Sequence, residues 1–127
     1  MANPSEPRFA ESHEWFTVDG DLVTVGISKY AADELTDITY VEMKPPGTEI
    51  SAGESLGEVE SVKTTSDVFT AVGGKVVEVN KAVSADPSLL NSDPFGAGWL
   101  VRIRANDTAP LAELLDRKTY DERHPVA

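Results

Sequence analysis

The stretch that decides the fold lies in the middle of the chain and reads Gly57-Glu58-Val59-Glu60-Ser61-Val62-Lys63-Thr64-Thr65-Ser66-Asp67-Val68-Phe69. A single lysine, Lys63, stands at its centre, with small or β-branched residues on both sides. The segment 62–64 contains neither glycine nor proline, so nothing marks it as a loose loop. We therefore predict a tight β-hairpin whose tip holds the Lys63 amine out from two paired strands.

The residues on the two sides of this hairpin repeat each other loosely. A glycine-punctuated segment with Leu56 and Val59 precedes Lys63, and the pair Gly73-Gly74 opens a second, valine-rich segment at 75–79. An isolated lysine in a turn is usually only a solvated charge. A lysine hairpin between two quasi-repeated halves, however, is the layout of a small swinging-arm carrier domain.

Other segments extend this pattern over most of the chain. They are Ser12-His13-Glu14-Trp15, Val25-Gly26-Ile27, Tyr40-Val41-Glu42, Glu78-Val79-Asn80, Asp93-Pro94-Phe95-Gly96 and Gly98-Trp99-Leu100. From about Phe9 to Tyr120 the sequence resembles the glycine cleavage system H-protein family, with the segments in the family's order. A biotin-carrying domain usually has methionines beside its lysine, whereas the neighbours here are Val62 and Thr64.

The resemblance implies a non-catalytic carrier. Lys63 would bear lipoate as an amide, attached by a lipoate ligase or lipoyl transferase that reads the folded hairpin. The arm would carry the aminomethyl group of glycine from a pyridoxal-phosphate-dependent glycine decarboxylase to a folate-dependent aminomethyltransferase. A flavin-dependent dihydrolipoyl dehydrogenase would then reoxidise the dithiol, so the cofactor carries the chemistry and the protein is its scaffold.

Such a cargo needs protection from its own nitrogen. A free lone pair on the aminomethyl nitrogen can expel the thiolate, and a nearby carboxylate opposes this because it favours the ammonium form. By resemblance the carboxylate is Glu14, and Ser12 and Asp67 are the accompanying candidates. On composition alone, Glu14 is one solvated acid among 22.

The fold expected is all-β and of the lipoyl/biotinyl-carrier type, a flattened barrel or a sandwich of two sheets, with short helices near 29–35 and 109–116. Ser28 can cap the first helix, and Thr108 and Pro110 can open the second. We expect one domain over residues 1–127, with a loose N-terminal arm at 1–8 and a helical C-terminal segment at 109–127.

Two turns depart from the family's pattern. Where the family often has glycine before Asp37, this chain has Thr36. Where the family usually has proline followed by valine-serine-glycine, this chain has Ala71-Val72-Gly73-Gly74. Both changes bear on local backbone shape and leave the lysine hairpin intact.

Composition limits the partners and the location. The net charge of −11 disfavours nucleic acid and suits partners with basic surfaces, although acidity also promotes solubility alone. Without cysteine there is no disulfide, thiolate nucleophile or cysteine-based metal site, and we expect no metal. The chain has no apolar run that could span a bilayer and no signal-peptide pattern. We expect no membrane association, a cytoplasmic location and a monomer.

Three other functions stay open. An enzyme is disfavoured because the histidines are His13 and His124 alone and no nucleophile elbow or phosphate-binding glycine loop occurs. A relay protein that supplies lipoate to other enzyme complexes would use the same Lys63, and aminomethyl loading in a reconstituted mixture would distinguish the two. An unmodified interaction module would be favoured by a bare Lys63 in active cells.

Overall fold

The computed structural model describes residues 7–124, which form two β-sheets and several short helices. The strands are β1 (Arg8–Phe9), β2 (Glu14–Asp19), β3 (Leu22–Ile27), β4 (Ile38–Met43), β5 (Glu49–Ile50), β6 (Ser55–Ser61), β7 (Thr65–Phe69), β8 (Gly74–Val79) and β9 (Val101–Ala105). The helices are α1 (Lys29–Leu35), α2 (Lys81–Ala85), α3 (Leu89–Ser92) and α4 (Arg117–Arg123), with a 3₁₀ helix at Ala109–Glu113.

The two sheets pack as a sandwich. One sheet has six antiparallel strands in the order β1-β2-β3-β9-β8-β5, and the other has three, in the order β4-β6-β7. Apolar side chains of both sheets meet in one core, among them Val23, Val25, Leu56, Val59, Val68, Val76, Val101 and Ile103. Within residues 7–124 the sheets do not join into a closed barrel, so the sandwich is the architecture adopted.

The quasi-repeat around the lysine hairpin has a counterpart in backbone geometry. Gly57 in β6 and Gly74 in β8 have φ angles of 152° and 155°. A Cβ at Gly57 would lie 2.1 Å from the Glu42 carbonyl oxygen, and a Cβ at Gly74 would lie 2.2 Å from the Arg104 carbonyl oxygen. Because only glycine permits this approach, both halves of the repeat use the same device to seat a strand against its neighbour.

Helix α1 lies where the sequence predicts it. The Ser28 Oγ accepts a hydrogen bond from the Ala31 N–H at 3.1 Å and caps the first turn. The helix ends at Thr36, whose φ of 63° and ψ of −132° are rarely adopted by residues other than glycine. The Asn91 side chain in α3 donates to the Thr36 carbonyl at 2.6 Å and holds this turn. The departure from the family's glycine thus falls at a strained position.

The C-terminal helices differ from the predicted helix at 109–116. The 3₁₀ helix ends at Glu113, and the backbone is extended at Leu114. Leu115 then forms an isolated β-bridge with Phe9, with N···O distances of 2.8 and 3.0 Å, and this pairing ends the helix. Helix α4 begins after it, where the Asp116 side chain accepts from the Thr119 N–H at 2.8 Å.

Two further details depart from or fall outside the prediction. Helix α2, which is capped by the Asn80 side chain, is not among the helices predicted from the sequence. Residues 1–6 and 125–127 lie outside the described residues. The predicted arm at 1–8 is therefore described only at Pro7 and Arg8, and Arg8 begins β1.

Replacing Thr36 by glycine should stabilise the fold. A strained non-glycine backbone costs about 1–3 kcal/mol, which glycine avoids at an entropic cost of about 0.5–1 kcal/mol. We expect the free energy of unfolding in urea to rise by about 1 kcal/mol. The control Thr17→Gly, in the regularly paired strand β2, should lower it. A Thr36→Gly variant no more stable than the parent would contradict the strain.

Candidate functional site

The tip of the lysine hairpin is ordered by hydrogen bonds rather than by turn-forming residues. Strands β6 and β7 are joined by Val62, Lys63 and Thr64. The Ser61 Oγ accepts from the N–H groups of Lys63 and Thr64, each at 3.1 Å, and the Ser61 N–H donates to the Thr64 carbonyl at 2.8 Å. A serine that closes a turn through its own side chain removes the need for glycine. The sequence analysis predicted the hairpin but did not identify this role of Ser61.

Helix α1 supports the hairpin from one side. The Val62 N–H donates to the Asp37 carbonyl at 3.1 Å, and the Lys63 Nζ donates to the Glu34 carbonyl at 3.2 Å. The ammonium therefore rests against the C-terminal turn of α1, the end at which the helix dipole favours a cation. The Lys63 side chain is exposed, as is that of Val62 at 67%. The Lys63 amine is accessible while its backbone is held.

Glu14 is buried, in contrast to the surface acid that composition alone would predict. Glu14 is the first residue of β2 and is 1% exposed. One carboxylate oxygen accepts from the Ser12 hydroxyl, and the other accepts from the Phe69 N–H at 2.9 Å. Since Phe69 ends β7, the Glu14 carboxylate connects the six-stranded sheet to the strand that carries the lysine hairpin.

The surroundings of Glu14 act on its pKa in opposite directions. Burial raises the pKa above its ordinary value, and the hydrogen bonds from Phe69 and Ser12 partly oppose this because they favour the carboxylate. The net effect is a raised pKa. An ionised Glu14 is therefore held at a cost in stability that a neutral side chain would not incur.

The structure brings Ser12 and Glu14 together but leaves Asp67 apart from them. Ser12 is exposed and lies over one oxygen of the buried carboxylate. Asp67 is exposed on β7, two residues before Phe69, and pairs in register with Glu58 of β6. Among residues 7–124 the Asp67 side chain makes no hydrogen bond or ion pair, so its carboxylate is available to solvent.

Acidic residues form a row on the exposed face of the three-stranded sheet. Glu42 of β4 lies opposite Glu58, and Glu58 lies opposite Asp67. All three are exposed, while Val59 and Val68 point into the core. Like charges directly opposite each other across strands are unfavourable, so this face repels itself and suits a basic partner surface.

Across residues 7–124 no group of three or more histidine, aspartate and glutamate residues is arranged to hold a metal ion. In the same range no helix is long and apolar enough to cross a membrane. The site consists of an accessible lysine on a braced hairpin and a buried carboxylate tied to one of its strands.

A two-sheet sandwich with one lysine at a braced hairpin tip defines a swinging-arm carrier domain. Residues 7–125 match the family model described as glycine cleavage H-protein. The chain belongs to the glycine cleavage H-protein family, whose members are the lipoyl-bearing carrier subunits of the glycine cleavage system and are not themselves catalysts. The family predicted by resemblance is confirmed.

Individual relatives agree along nearly the whole chain. The glycine cleavage system H protein of Acinetobacter baumannii is 46% identical over 121 residues, which cover 95% of this chain and 98% of that protein. That of Chlorobium limicola is 47% identical over 124 residues, covering 96% and 97%. The crystal structure of a glycine cleavage system H protein from Mycobacterium marinum has a TM-score of 0.86 at 37% identity and covers 98% of this chain and 100% of its own.

The two functions of a buried carboxylate, as a charge and as an acceptor, can be separated by substitution. Glu14→Ala leaves the Phe69 N–H without its acceptor, which should lower the free energy of unfolding by about 1–3 kcal/mol. Glu14→Gln keeps an oxygen for that N–H and removes the buried charge. We expect it to be at least as stable as the parent at pH 8, measured by urea denaturation at a series of pH values.

The pH dependence of the free energy of unfolding shows whether folding raises or lowers the Glu14 pKa. Because the Glu14 pKa is raised on folding, its contribution to stability falls as pH rises from about 4.5 through the folded pKa. The advantage of Glu14→Gln over the parent should grow across that window and level off above it. An advantage that shrinks with rising pH would mean that the folded protein favours the ionised carboxylate.

Proposed function

We propose that Lys63 is the lipoylation site through which this family member acts as carrier. The observation that carries the proposal is an exposed Nζ on a hairpin fixed by Ser61 and by the Asp37 and Glu34 carbonyls. An enzyme that forms an amide on one lysine out of several needs an exposed amine in a fixed backbone frame. Amide formation removes the Lys63 charge and leaves one N–H donor on the side chain.

Lipoate bound there would supply a dithiol–disulfide pair able to take up the aminomethyl group of glycine. The task left to this chain is to hold a proton on the cargo nitrogen. We assign it to Glu14, with Ser12. An ionised carboxylate has about four lone-pair sites, and Ser12 and Phe69 occupy two of them. The exposed Ser12 hydroxyl can move aside so that an ammonium donates to the same oxygen, in surroundings from which water is largely excluded.

Asp67 has a lesser role in this proposal. Its carboxylate is exposed on the strand whose end is bound by Glu14, so it adds negative potential near the hairpin without a fixed hydrogen bond. Solvent screens such a charge strongly. Loss of Asp67 should therefore change cargo retention less than loss of Glu14.

The partners are the enzymes of the glycine cleavage system. Within it, the proposed partners are the pyridoxal-phosphate glycine decarboxylase, the aminomethyltransferase and the dihydrolipoyl dehydrogenase, with a lipoate ligase or lipoyl transferase for attachment. We further propose a monomer that works in the cytoplasm. The acidic row of Glu42, Glu58 and Asp67 beside the hairpin supports docking to basic surfaces.

Lys63→Arg should abolish lipoylation and leave the fold intact. The side chain is exposed, so the free energy of unfolding should change by less than about 0.5 kcal/mol. Intact mass after incubation with lipoate and a lipoate ligase should show one added lipoyl group on the parent and none on the variant. The control Lys75→Arg, exposed on β8, should be modified as the parent is. A lipoyl group mapped to any residue other than Lys63 would end the proposal.

Glu14→Ala should shorten the lifetime of the loaded carrier while lipoylation and reoxidation proceed normally. A charge-assisted hydrogen bond is worth about 1.5–3 kcal/mol, so release should be about tenfold faster or more. The measurement follows free formaldehyde and ammonia after the decarboxylase is removed. The matched control is Glu58→Ala, which removes an exposed acid from β6. The release rate of Asp67→Asn should lie between those of Glu14→Ala and Glu58→Ala. Equal release from Glu14→Ala and Glu58→Ala would leave Glu14 with a structural role only.

A further inference from the structure

A chain of hydrogen bonds connects helix α1 to the histidine beside Glu14. The Ala31 N–H donates to the Ser28 Oγ at 3.1 Å, the Ser28 Oγ lies 2.7 Å from the Tyr120 hydroxyl, and that hydroxyl lies 2.7 Å from the His13 Nδ1. Tyr120 belongs to α4, so the chain joins three separate parts of the sequence. Ser28 is 1% and Tyr120 2% exposed, which keeps water from replacing either partner.

The direction of donation in this chain can be worked out from its first member. Because the Ala31 N–H is a fixed donor, the Ser28 oxygen accepts from it and its own proton is free for Tyr120. Tyr120 then donates to His13, whose Nδ1 must carry a lone pair and whose ring proton is on Nε2. If Nδ1 were protonated, the Tyr120 oxygen would accept from it. Either the Tyr120 proton or the Ser28 proton would then be left without an acceptor among residues 7–124.

The other groups that face His13 also bear on its charge. The ring of His124, the residue that caps the C-terminus of α4, has its centroid 4.7 Å from that of His13. From α1, the Tyr30 ring lies 4.9 Å away, and the Glu34 carboxylate acts on His13 through its charge. Burial lowers the His13 pKa first, repulsion from His124 lowers it further, and Glu34 raises it in part. The net effect is a lowered pKa, which agrees with the neutral ring that the hydrogen bonds require.

His13 in turn fixes the backbone between the two residues assigned to the cargo. Its φ is 80°, a left-handed conformation that is uncommon among residues other than glycine. Its N–H donates to the Ala10 carbonyl and its carbonyl accepts from the Ser28 N–H, each at 2.9 Å. In this conformation the Ser12 hydroxyl reaches the Glu14 carboxylate two residues on. The ring contact with Tyr120 is the side-chain support of this turn.

We propose that His13 and Tyr120 are positioning residues for Glu14, and that protonation of His13 reverses the donation between them, leaves a buried hydroxyl proton without an acceptor, and thereby frees the turn at 12–14 and loosens the hold of Glu14 on Phe69. The C-terminal helix α4 thereby makes cargo protection sensitive to pH. The functional part of this inference rests on the proposed role of Glu14. The positioning part can be measured on the unloaded protein.

The first test is the protonation state of His13, read from the ¹⁵N shifts of labelled histidine over a pH titration. In the parent at neutral pH, Nδ1 should be unprotonated and Nε2 protonated. Tyr120→Phe removes the donor that stabilises the neutral ring, so the His13 pKa should rise. That variant keeps the ring stacked on Phe9 at a centroid distance of 4.3 Å, so the fold should survive. A proton on Nδ1 in the parent would overturn the proposal.

The second test is hydrogen exchange of the Phe69 amide, whose bond to Glu14 reports the position of the carboxylate directly. In Tyr120→Phe its protection factor should fall about two- to tenfold at neutral pH, the range that the loss of one hydrogen bond gives. The Thr70 amide donates to the Glu54 carbonyl at 3.0 Å and should keep its protection. Tyr30→Phe alters the same aromatic cluster outside the hydrogen-bond chain and should leave Phe69 unchanged. Equal protection of Phe69 in the parent and in Tyr120→Phe would overturn the proposal.

The pH profile separates His13 from Glu14 itself. Protection of Phe69 in the parent should fall as pH drops through the His13 pKa, below 6.5. His13→Asn has no titrating ring, and asparagine tolerates the left-handed backbone. It should lose this step and retain only the one caused by protonation of Glu14. A step that persists unchanged in His13→Asn would assign the pH dependence to Glu14 and contradict our inference.

Release of the one-carbon unit from loaded carriers then tests the positioning role of Tyr120 and the cargo role of Glu14 together. If Glu14→Ala retains its cargo as the parent does, the role proposed for Glu14 is wrong, whatever His13 does. If Glu14→Ala releases faster while Tyr120→Phe matches the parent in both release and Phe69 protection, the role of Glu14 stands and the positioning role of Tyr120 is wrong. Faster release from both variants, with normal lipoylation, is the expected result.

Discussion

The hydrogen bond from the Phe69 N–H to the Glu14 carboxylate is the contact on which the arrangement of the site depends. Glu14 begins a strand of the six-stranded sheet, and Phe69 ends the strand that returns from the lysine hairpin. One side chain thus sets the candidate cargo site relative to the candidate attachment site. Burial makes the contact strong and also raises the pKa of Glu14, so the site is built at some expense of stability.

The hairpin combines an accessible side chain with a constrained backbone. Ser61 closes the turn through its hydroxyl, and the end of α1 provides carbonyls for Val62 and Lys63. A flexible tip would expose the lysine equally well, but its geometry would vary from molecule to molecule. An enzyme that modifies a single lysine gains from order in the backbone, because less conformational entropy is lost when it binds.

The sequence was sufficient where the determinants are local. The Lys63 hairpin, the Ser28 cap and the two glycine-led halves all follow from residues within a few positions of one another. The sandwich, the family and the carrier function were predicted and are confirmed. The assignments of Lys63, Glu14, Ser12 and Asp67 remain predictions, to be tested by the substitutions described for each.

Long-range contacts could not be predicted in the same way. The helix expected to run to residue 116 ends early because Leu115 pairs with Phe9, which lies more than a hundred positions away in the chain. The hydrogen bond from the Phe69 N–H to Glu14, and the contact of Tyr120 with His13, likewise depend on tertiary structure. The sequence analysis predicted a helical C-terminal segment but not the separate helix α4, whose N-cap is Asp116.

The strained residues of the described chain lie beside the proposed site. His13 and Thr36 are the non-glycine residues with positive φ in residues 7–124. His13 stands between Ser12 and Glu14, and Thr36 ends the helix whose Glu34 carbonyl receives Lys63. Strain and a buried acid each lower stability, and such features tend to persist where the surrounding structure holds them for a function. The turn at His13 borders the carboxylate near the start of α1, and the turn at Thr36 borders the lysine at its end. Helix α1 and these two turns therefore form the frame of the site.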